Sequence, residues 1–581
     1  MDIFNFRLKN SKIWHTSFCI LLFCLLIFLS IRASDEYRWS DWGIGDAQVM
    51  LSVRHWEEEG WLANRLLLIP TGYAKVIRLL DEPELRHHAQ GISPISSPRV
   101  GPRLRYTHYP SGYLIPYALL FKLGFERIFF MRLLSIFFSI GALILIYVLF
   151  SKITSPRISF VAVFFYVLSS TFLGYADCIG TQPIDDLLRF AFMLGIVLST
   201  RAASLRQRRI WMVSAWIIEF LLSLVSFDSV FFVYLWLISW DFLDRQGFRW
   251  KTYLIFALAP LTAHSLQFLQ NVWYLGLTDA VIDIKDTFFM RSGLEESFSR
   301  FFLTGYSFII LFNNFYKPIG LIVLLLIFYT VYSKFLRDKN ERELPSMKLL
   351  AVLLFCGLAF GFLVPYGTTM SYETKQIAPF MILLVSGTTW SFLKEFRRSI
   401  RRNYNFKRKK EFSARQKLMP LYLFFCMVIF IAFWYHFAIV PRKPLYDVKG
   451  HPDVLLARKI KSIPTKYDPV FFNMGGFQKF LGSAYFSDYP QINPIIEYYV
   501  GSKPILCFAK PEGLASDLIY MVNRSPYKFS PILVTENLAY IKIVLSGLSK
   551  KEVLEKEPPQ PDNIMGKYIL DLTDYLKWDE T

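Results

Sequence analysis

Charge and cysteine are both scarce in this sequence. Only 19% of its 581 residues are Asp, Glu, Lys or Arg, against about 25% in an ordinary soluble domain, while 54% are hydrophobic and 18% aromatic. A chain with so little polar surface to offer is excluded from the soluble globular class and reads as a polytopic membrane protein. The six cysteines form no disulfide framework and no metal-type spacing. Cys19, Cys24, Cys356 and Cys426 lie in apolar runs, and Cys178 and Cys507 are far apart. A P-loop, a dinucleotide fingerprint, HExxH and a GxSxG nucleophile elbow are all missing, which removes the sequence basis for those chemistries.

What is present is a series of apolar runs from residue 14 to about residue 439, each near the roughly 20 residues that span a hydrocarbon core. The net charge of +19 sits mostly in short loops between them, so it is a topology signal and not a nucleic-acid surface. The loops RAASLRQRR (201–209), SKFLRDKNERELPSMK (333–348) and KEFRRSIRRNYNFKRKKEFSARQK (394–417) carry four, five and eleven Lys or Arg and are expected in the cytoplasm with the N-terminus. The first run, Trp14 to Ile31, has no good cleavage site after it and reads as an uncleaved span.

One stretch, YTHYPSGYLIPYALLFKLG (106–124), is apolar yet too short to cross. Its uninterrupted part, Tyr113 to Phe121, has nine residues, or about 14 Å of helix against a core of about 30 Å. Counting it as a span would also put the basic loop 201–209 outside. It reads instead as a helix lying at the outer face. The spans then fall near 14–32, 127–150, 158–175, 185–200, 210–226, 229–243, 252–270, 317–333, 349–365, 377–393 and 418–439. These eleven spans leave the C-terminal region outside. The fold class expected is mainly α, a polytopic transmembrane bundle over residues 1–440 with a long outer first loop (33–126), followed by an extracytoplasmic α/β domain over 441–581. In that domain HPDVLLARKIKSI reads as an amphipathic helix, and residues 470–473, 505–509, 532–536, 540–545 and 567–572 read as strands.

The ionisable residues worth weighing collect on the expected outer side. Asp46 opens a helix in GDAQVMLSVRHWEEEGW, with Val49, Leu51, Val53 and Trp56 free to face the membrane surface; it is either a plain N-cap or a functional carboxylate. Asp177, Asp185 and Asp186 lie in the turn YADCIGTQPIDDLLRF, where the dipole of a Pro183-led helix gives a structural explanation beside a functional one. Converging carboxylates with cations nearby suit glycosyl transfer, in which one carboxylate takes a proton from an acceptor hydroxyl or amine while cations hold the departing phosphate. Arg54, Arg103, Arg105, His108, Arg291 and Lys375 are candidates for the cationic role, or are solvated loop charges. Glu219 and His264 lie inside spans, where an interhelical hydrogen bond is the simpler role. Residues 278–300 read as an interfacial helix.

This order of features resembles the GT-C class of polytopic glycosyltransferases, especially the branch with protein O-mannosyltransferases and the lipid A aminoarabinose transferase. The resemblance covers roughly residues 14–440. It rests on the first span, the long outer loop with its Asp-led helix ending in Gly-Trp, the short Pro-led helix YPSGYLIPYALLFKLG, two spans closing on GTQPIDDLL, and the segment YGTTMSYETKQIAPF before the tenth span. The resemblance implies an inverting transfer of a hexosyl or pentosyl group from a polyprenyl-phosphate donor to a lipid, glycan or protein acceptor at the outer face. It also implies a multi-pass protein of the bacterial inner (plasma) membrane, with Asp46 as the first-loop carboxylate and Asp185 and Asp186 as the second-loop acid. Arg103, Arg105, His108, Tyr109 and Lys375 then contact substrate. Asp46 is not followed by the frequent Glu; an acidic dipeptide occurs instead at Asp35-Glu36, the second choice for the first-loop acid because it lies so close to the first span. A divalent metal is compatible with these carboxylates, though no ligand spacing demands one.

The alternative from another class is a transporter or flippase of a lipid-linked or small polar substrate. It would call for inverted repeats or paired broken helices, and the sequence shows no convincing internal repeat.

Overall fold

The computed structural model describes residues 2–35, 43–69, 106–107, 109–243 and 249–292, single helical positions between 356 and 458, and C-terminal segments between 469 and 577. Most of the described residues are helical. The chain groups into two compact units, one of residues 1–35, 129–269 and 284–448 and the other of residues 36–128, 270–283 and 449–581.

The first unit is a bundle of α1 (Asp2–Ala33), α4 (Ile128–Ile153), α5 (Pro156–Val167), the one-turn α6 (Ser170–Leu173), α7 (Thr181–Thr200), α8 (Leu205–Ser223), α9 (Asp228–Leu243) and the first part of α10 (Trp250–Leu275). Punctuation in the sequence sets several of the boundaries. Pro156 stands at N1 of α5 after an extended Ser155, where a missing N–H costs nothing. Ser204 caps α8 by accepting from the Gln207 amide, as an N-cap should. Among the described residues, three helices are long and apolar enough to cross a membrane: Lys12–Ala33, Ile128–Ile153 and Trp250–Leu275.

Side-chain contacts show that these helices alternate in direction. At one end, Arg132 donates to the Asp35 carbonyl at 2.7 Å, Ser139 to the Ala176 carbonyl at 2.8 Å, and Phe227 lies against His264. At the other end, Arg201 donates to the Lys152 carbonyl, Trp240 donates to Thr200 at 3.3 Å, and Arg249 pairs with Asp241. The interior is aromatic. Phe380, from the tenth expected span, has its ring within 6.4 Å of those of Phe150, Phe190, Phe232 and Trp236. Of the eleven expected spans, those at 317–333 and 418–439 lie outside the described residues, apart from one helical position, 428.

In the second unit, α2 (Gly43–Glu59) packs against α3 (Leu114–Lys122). Helix α3 has nine residues, the length expected for a segment that does not cross. Helix α2 departs from expectation. Val49, Leu51, Val53 and Trp56 are buried, because Ala47, Met50 and Ser52 are buried too and the helix is enclosed nearly all round. After it, the Trp56 indole donates to the Leu67 carbonyl at 3.0 Å and the Ser52 hydroxyl accepts from the Ile69 amide at 2.8 Å. Arg65 and Leu66 adopt left-handed φ of 56° and 57°, a conformation that non-glycine residues hold only when their surroundings compel it. Gln270 supplies that constraint, its amide donating to both of their carbonyls at 2.8 and 2.9 Å. Past a left-handed Gly276 runs α11 (Leu277–Ser292), the helix expected from the alternation of charged and apolar residues there.

The C-terminal part holds a five-stranded sheet in the order β2-β1-β3-β5-β4, made of β1 (Pro469–Met474), β2 (Ile505–Leu506), β3 (Ser530–Thr535), β4 (Asp562–Ile564) and β5 (Lys567–Asp571). β1 pairs in parallel with β2 and β3, while β5 runs antiparallel to β3 and β4. Residues 540–545 are not the strand their alternation suggested. They belong to α12 (Leu538–Lys550), which buries Tyr540, Ile541, Val544 and Leu548 at helical spacing. A Cβ on Gly547 would come within 2.8 Å of Ala515, so glycine there lets α12 approach its neighbour.

Candidate active site

Asp46 lies in the first turn of α2 and is fully buried. The helix starts at Gly43, so Asp46 is inside it and not its N-cap. Carboxylates in a first turn are favoured by the helix dipole, and complete burial of one requires a specific environment. The loop that follows α2 is tied down at several points. Ser111 donates to the Leu66 carbonyl at 2.5 Å, the Gln270 amide lies 3.3 Å from Ser111, and Arg65 stacks its guanidinium 4.6 Å over the Trp273 ring. Thr107 is held from two sides, by Asn271 donating to its carbonyl at 3.1 Å and by its own hydroxyl donating to Asp283 at 2.5 Å. These contacts fix the backbone at the position before His108 and Tyr109. Tyr109 is half-buried, while Arg103, Arg105, His108, Lys375 and Glu36 lie outside the described residues.

Asp185 and Asp186 belong to the bundle unit, in the second turn of α7, beyond the reach of the N-terminal dipole that a first-turn position would have enjoyed. Their partner is Arg189 of the same helix. Its Nη1 donates to Asp185 at 2.8 Å and its Nη2 to Asp186, the i,i+4 and i,i+3 neighbours on one helix face. Nη1 also reaches the Ser229 hydroxyl of α9 at 3.2 Å. All three charged side chains are buried, Arg189 at 1% exposure. Tyr166 of α5, its buried hydroxyl making no hydrogen bond among the described residues, lies within electrostatic reach of Asp186 and Arg189.

Asp177 has a structural engagement. Arg32, in the last turn of α1, donates its Nε to Asp177 at 3.0 Å and its Nη2 to the other carboxylate oxygen. Sequence reasoning singled out the three aspartates but missed both arginines. The spacing of IDDLLRF carries the Arg189 contact for anyone who asks which residue lies three and four positions on; nothing local signals Arg32.

A divalent metal would need several of these carboxylates at once. Asp185 and Asp186 face one guanidinium and Asp177 another, and among the described residues no group of three His, Cys, Asp or Glu side chains comes together in a way that could hold a metal ion. No step below is routed through a metal.

No protein-family model matches the chain, and no curated protein does either. Solved structures do. ArnT from Cupriavidus metallidurans bound to undecaprenyl phosphate superimposes with a TM-score of 0.52 at 9% identity, over 96% of this chain and 98% of that one. The apo form of the same protein gives 0.50 at 11% identity over the same shares. The Archaeoglobus fulgidus oligosaccharyltransferase in its apo form is less similar, with a TM-score of 0.39 at 13% identity, over 92% of this chain and 71% of that one. With its apolar helices and a likeness that runs nearly end to end, the chain is an integral membrane protein that shares the GT-C fold of ArnT.

Proposed function

We propose that the protein is a multi-pass membrane glycosyltransferase of inverting type. It moves a hexosyl or pentosyl group from a polyprenyl-phosphate carrier to a lipid, glycan or protein acceptor at the outer face of a bacterial inner membrane. The observation that carries this reading is the fold likeness, over 96% of the chain, to a structure that holds undecaprenyl phosphate. The sidedness is supported by the bundle itself. Asp177, Asp185 and Asp186 gather at one end and Arg201 lies at the other, at the head of the basic loop 201–209, as expected if that loop is cytoplasmic. Eleven spans, a cytoplasmic N-terminus and an extracytoplasmic domain over 441–581 complete the proposed topology.

In this mechanism Asp46 takes the proton from the acceptor hydroxyl or amine as its oxygen or nitrogen attacks the anomeric carbon. The bond from that carbon to the phosphate oxygen breaks, its electron pair leaves with the polyprenyl phosphate, and a single displacement inverts the centre. Arg103, Arg105, His108 and Lys375 stabilise the charge that grows on the phosphate, with Tyr109 as a further donor. Asp185 and Asp186 take the place of the second-loop acid that the resemblance implies.

The test is transfer by the purified protein from synthetic polyprenyl-phosphate sugars to a panel of lipid, glycan and peptide acceptors. Transfer by the wild type and its loss in Asp46→Asn are expected. An Asp46→Asn variant with the wild-type rate would remove Asp46 from the mechanism. Failure with every polyprenyl-phosphate sugar, together with movement of an intact lipid-linked sugar across proteoliposomes, would replace the transferase with a flippase.

A further inference from the structure

We propose that a groove near the start of α8 seats the headgroup of an anionic phospholipid from the surrounding membrane. The proposal is independent of the transfer chemistry above and needs only that the bundle lies in a bilayer. Leu205, Arg208, Arg209, Met212 and Val213 line a groove of about 360 Å³, within the range of small-molecule sites. Their spacing of three and four residues puts all five on one face of the helix. That face is open. Leu205 is 73% and Val213 59% exposed, and both arginines are exposed with them.

The other arginines at this end of the bundle are engaged. Arg201 donates to the Lys152 carbonyl and lies over the Trp240 ring, and Arg249 pairs with Asp241. Arg208 and Arg209 form no ion pair among the described residues, and residues 201–218 contain no Asp or Glu to answer them. Basic groups so early in a helix also stand against its dipole. A bound phosphate relieves both repulsions, held by guanidinium forks that match its oxygens. Met212 and Val213, one turn deeper than the arginines, then lie against the glycerol and the first methylenes, and the exposed Trp211 beside them is of a type enriched at headgroup depth. A free phosphate would use the arginines and leave this aliphatic half of the groove bare. Guanidinium and aliphatic groups on one open helix face therefore fit a lipid whose head is charged and whose chains run on into the bilayer.

The experiment titrates the full-length protein, in neutral detergent, with phosphatidylglycerol or phosphatidylcholine while thermal unfolding is followed, and counts retained lipid by native mass spectrometry. The wild type should retain phosphatidylglycerol and unfold at a higher temperature as it is added, up to a plateau, with no such rise for phosphatidylcholine. Arg208→Gln/Arg209→Gln should bind phosphatidylglycerol about 30-fold more weakly. Leu205→Gln/Val213→Gln keeps both charges and should also lose retained lipid; it carries the comparison should the arginine variant not fold. Lys152→Gln/Arg157→Gln removes as many charges from the same end but outside the groove, and should bind as the wild type does. Wild-type binding by the arginine variant or by Leu205→Gln/Val213→Gln would overturn the proposal, as would an equal loss in Lys152→Gln/Arg157→Gln or an equal response to phosphatidylcholine. Displacement of the retained lipid by inorganic phosphate alone would replace the lipid seat with a free-anion site.

Discussion

Arg132, near the start of α4, hydrogen-bonds the backbone carbonyl of Asp35, just past the end of α1, at 2.7 Å across 97 positions of sequence. The end of α1 and the start of α4 thus lie together in the bundle. In a chain freed of its native cysteines, the exposed positions Ser34→Cys and Glu126→Cys should react with an impermeant thiol reagent from one side and Ala203→Cys from the other. Labelling of Glu126→Cys from the side of Ala203→Cys would mean that the segment 106–124 crosses after all.

Asp46→Asn keeps the shape of the side chain and removes its basicity. If Asp46 accepts the acceptor's proton, kcat falls by about 10²- to 10⁴-fold with carrier binding unchanged, which separates proton transfer from folding. Parallel loss of turnover and thermal stability would assign the buried carboxylate to the core of its unit.

Arg32 and Asp177 form a buried, two-pronged ion pair. Removing one partner strands the other, at a cost of about 3–5 kcal/mol. Arg32→Ala and Asp177→Ala should each unfold at clearly lower temperature in detergent, while the double substitution should be milder than the sum of the two. Additivity in that double-mutant cycle would show that the pair contributes no coupling.

Gln270 holds two left-handed residues by their carbonyls. Gln270→Ala removes the donor to the Arg65 carbonyl, worth about 1 kcal/mol, while Ser111 still donates to the Leu66 carbonyl, and should loosen the turn 61–66. Faster limited proteolysis near Arg65, with unchanged unfolding of the helix bundle, is the expected outcome.

The parts of this fold that follow from local period were open to reading. The nine-residue α3, the helix α11 and the strands β1, β3 and β5 all show in the sequence, because their patterns are complete within a few residues. Residues 540–545 misled because Ile541, Ile543 and Leu545 alternate, and only the longer window to Leu548 reveals the helical face. The candidate site was half legible for a similar reason. Carboxylates announce themselves by type, whereas what each one faces depends on helix geometry for Arg189 and on contact across 145 positions for Arg32. The enclosure of α2 depended on packing with distant segments.

A Cβ on Gly195 of α7 would lie 3.3 Å from that of Ala215 on α8, and this close approach bears on how the protein is made. Helix α7 carries Asp185, Asp186 and Arg189, and on insertion scales such groups each cost about 2.5–3.5 kcal/mol at the centre of a lone segment. A nascent α7 emerging from the translocon is therefore a poor candidate to enter lipid by itself. Its ion pairs close within its own two turns, Gly195 packs against Ala215 of α8, and its guanidinium gains Ser229 once α9 has been synthesised. Biogenesis should accordingly release these helices together as a hairpin, so that nascent chains ending just after Thr200 stall at the membrane while those extended past Ser229 integrate.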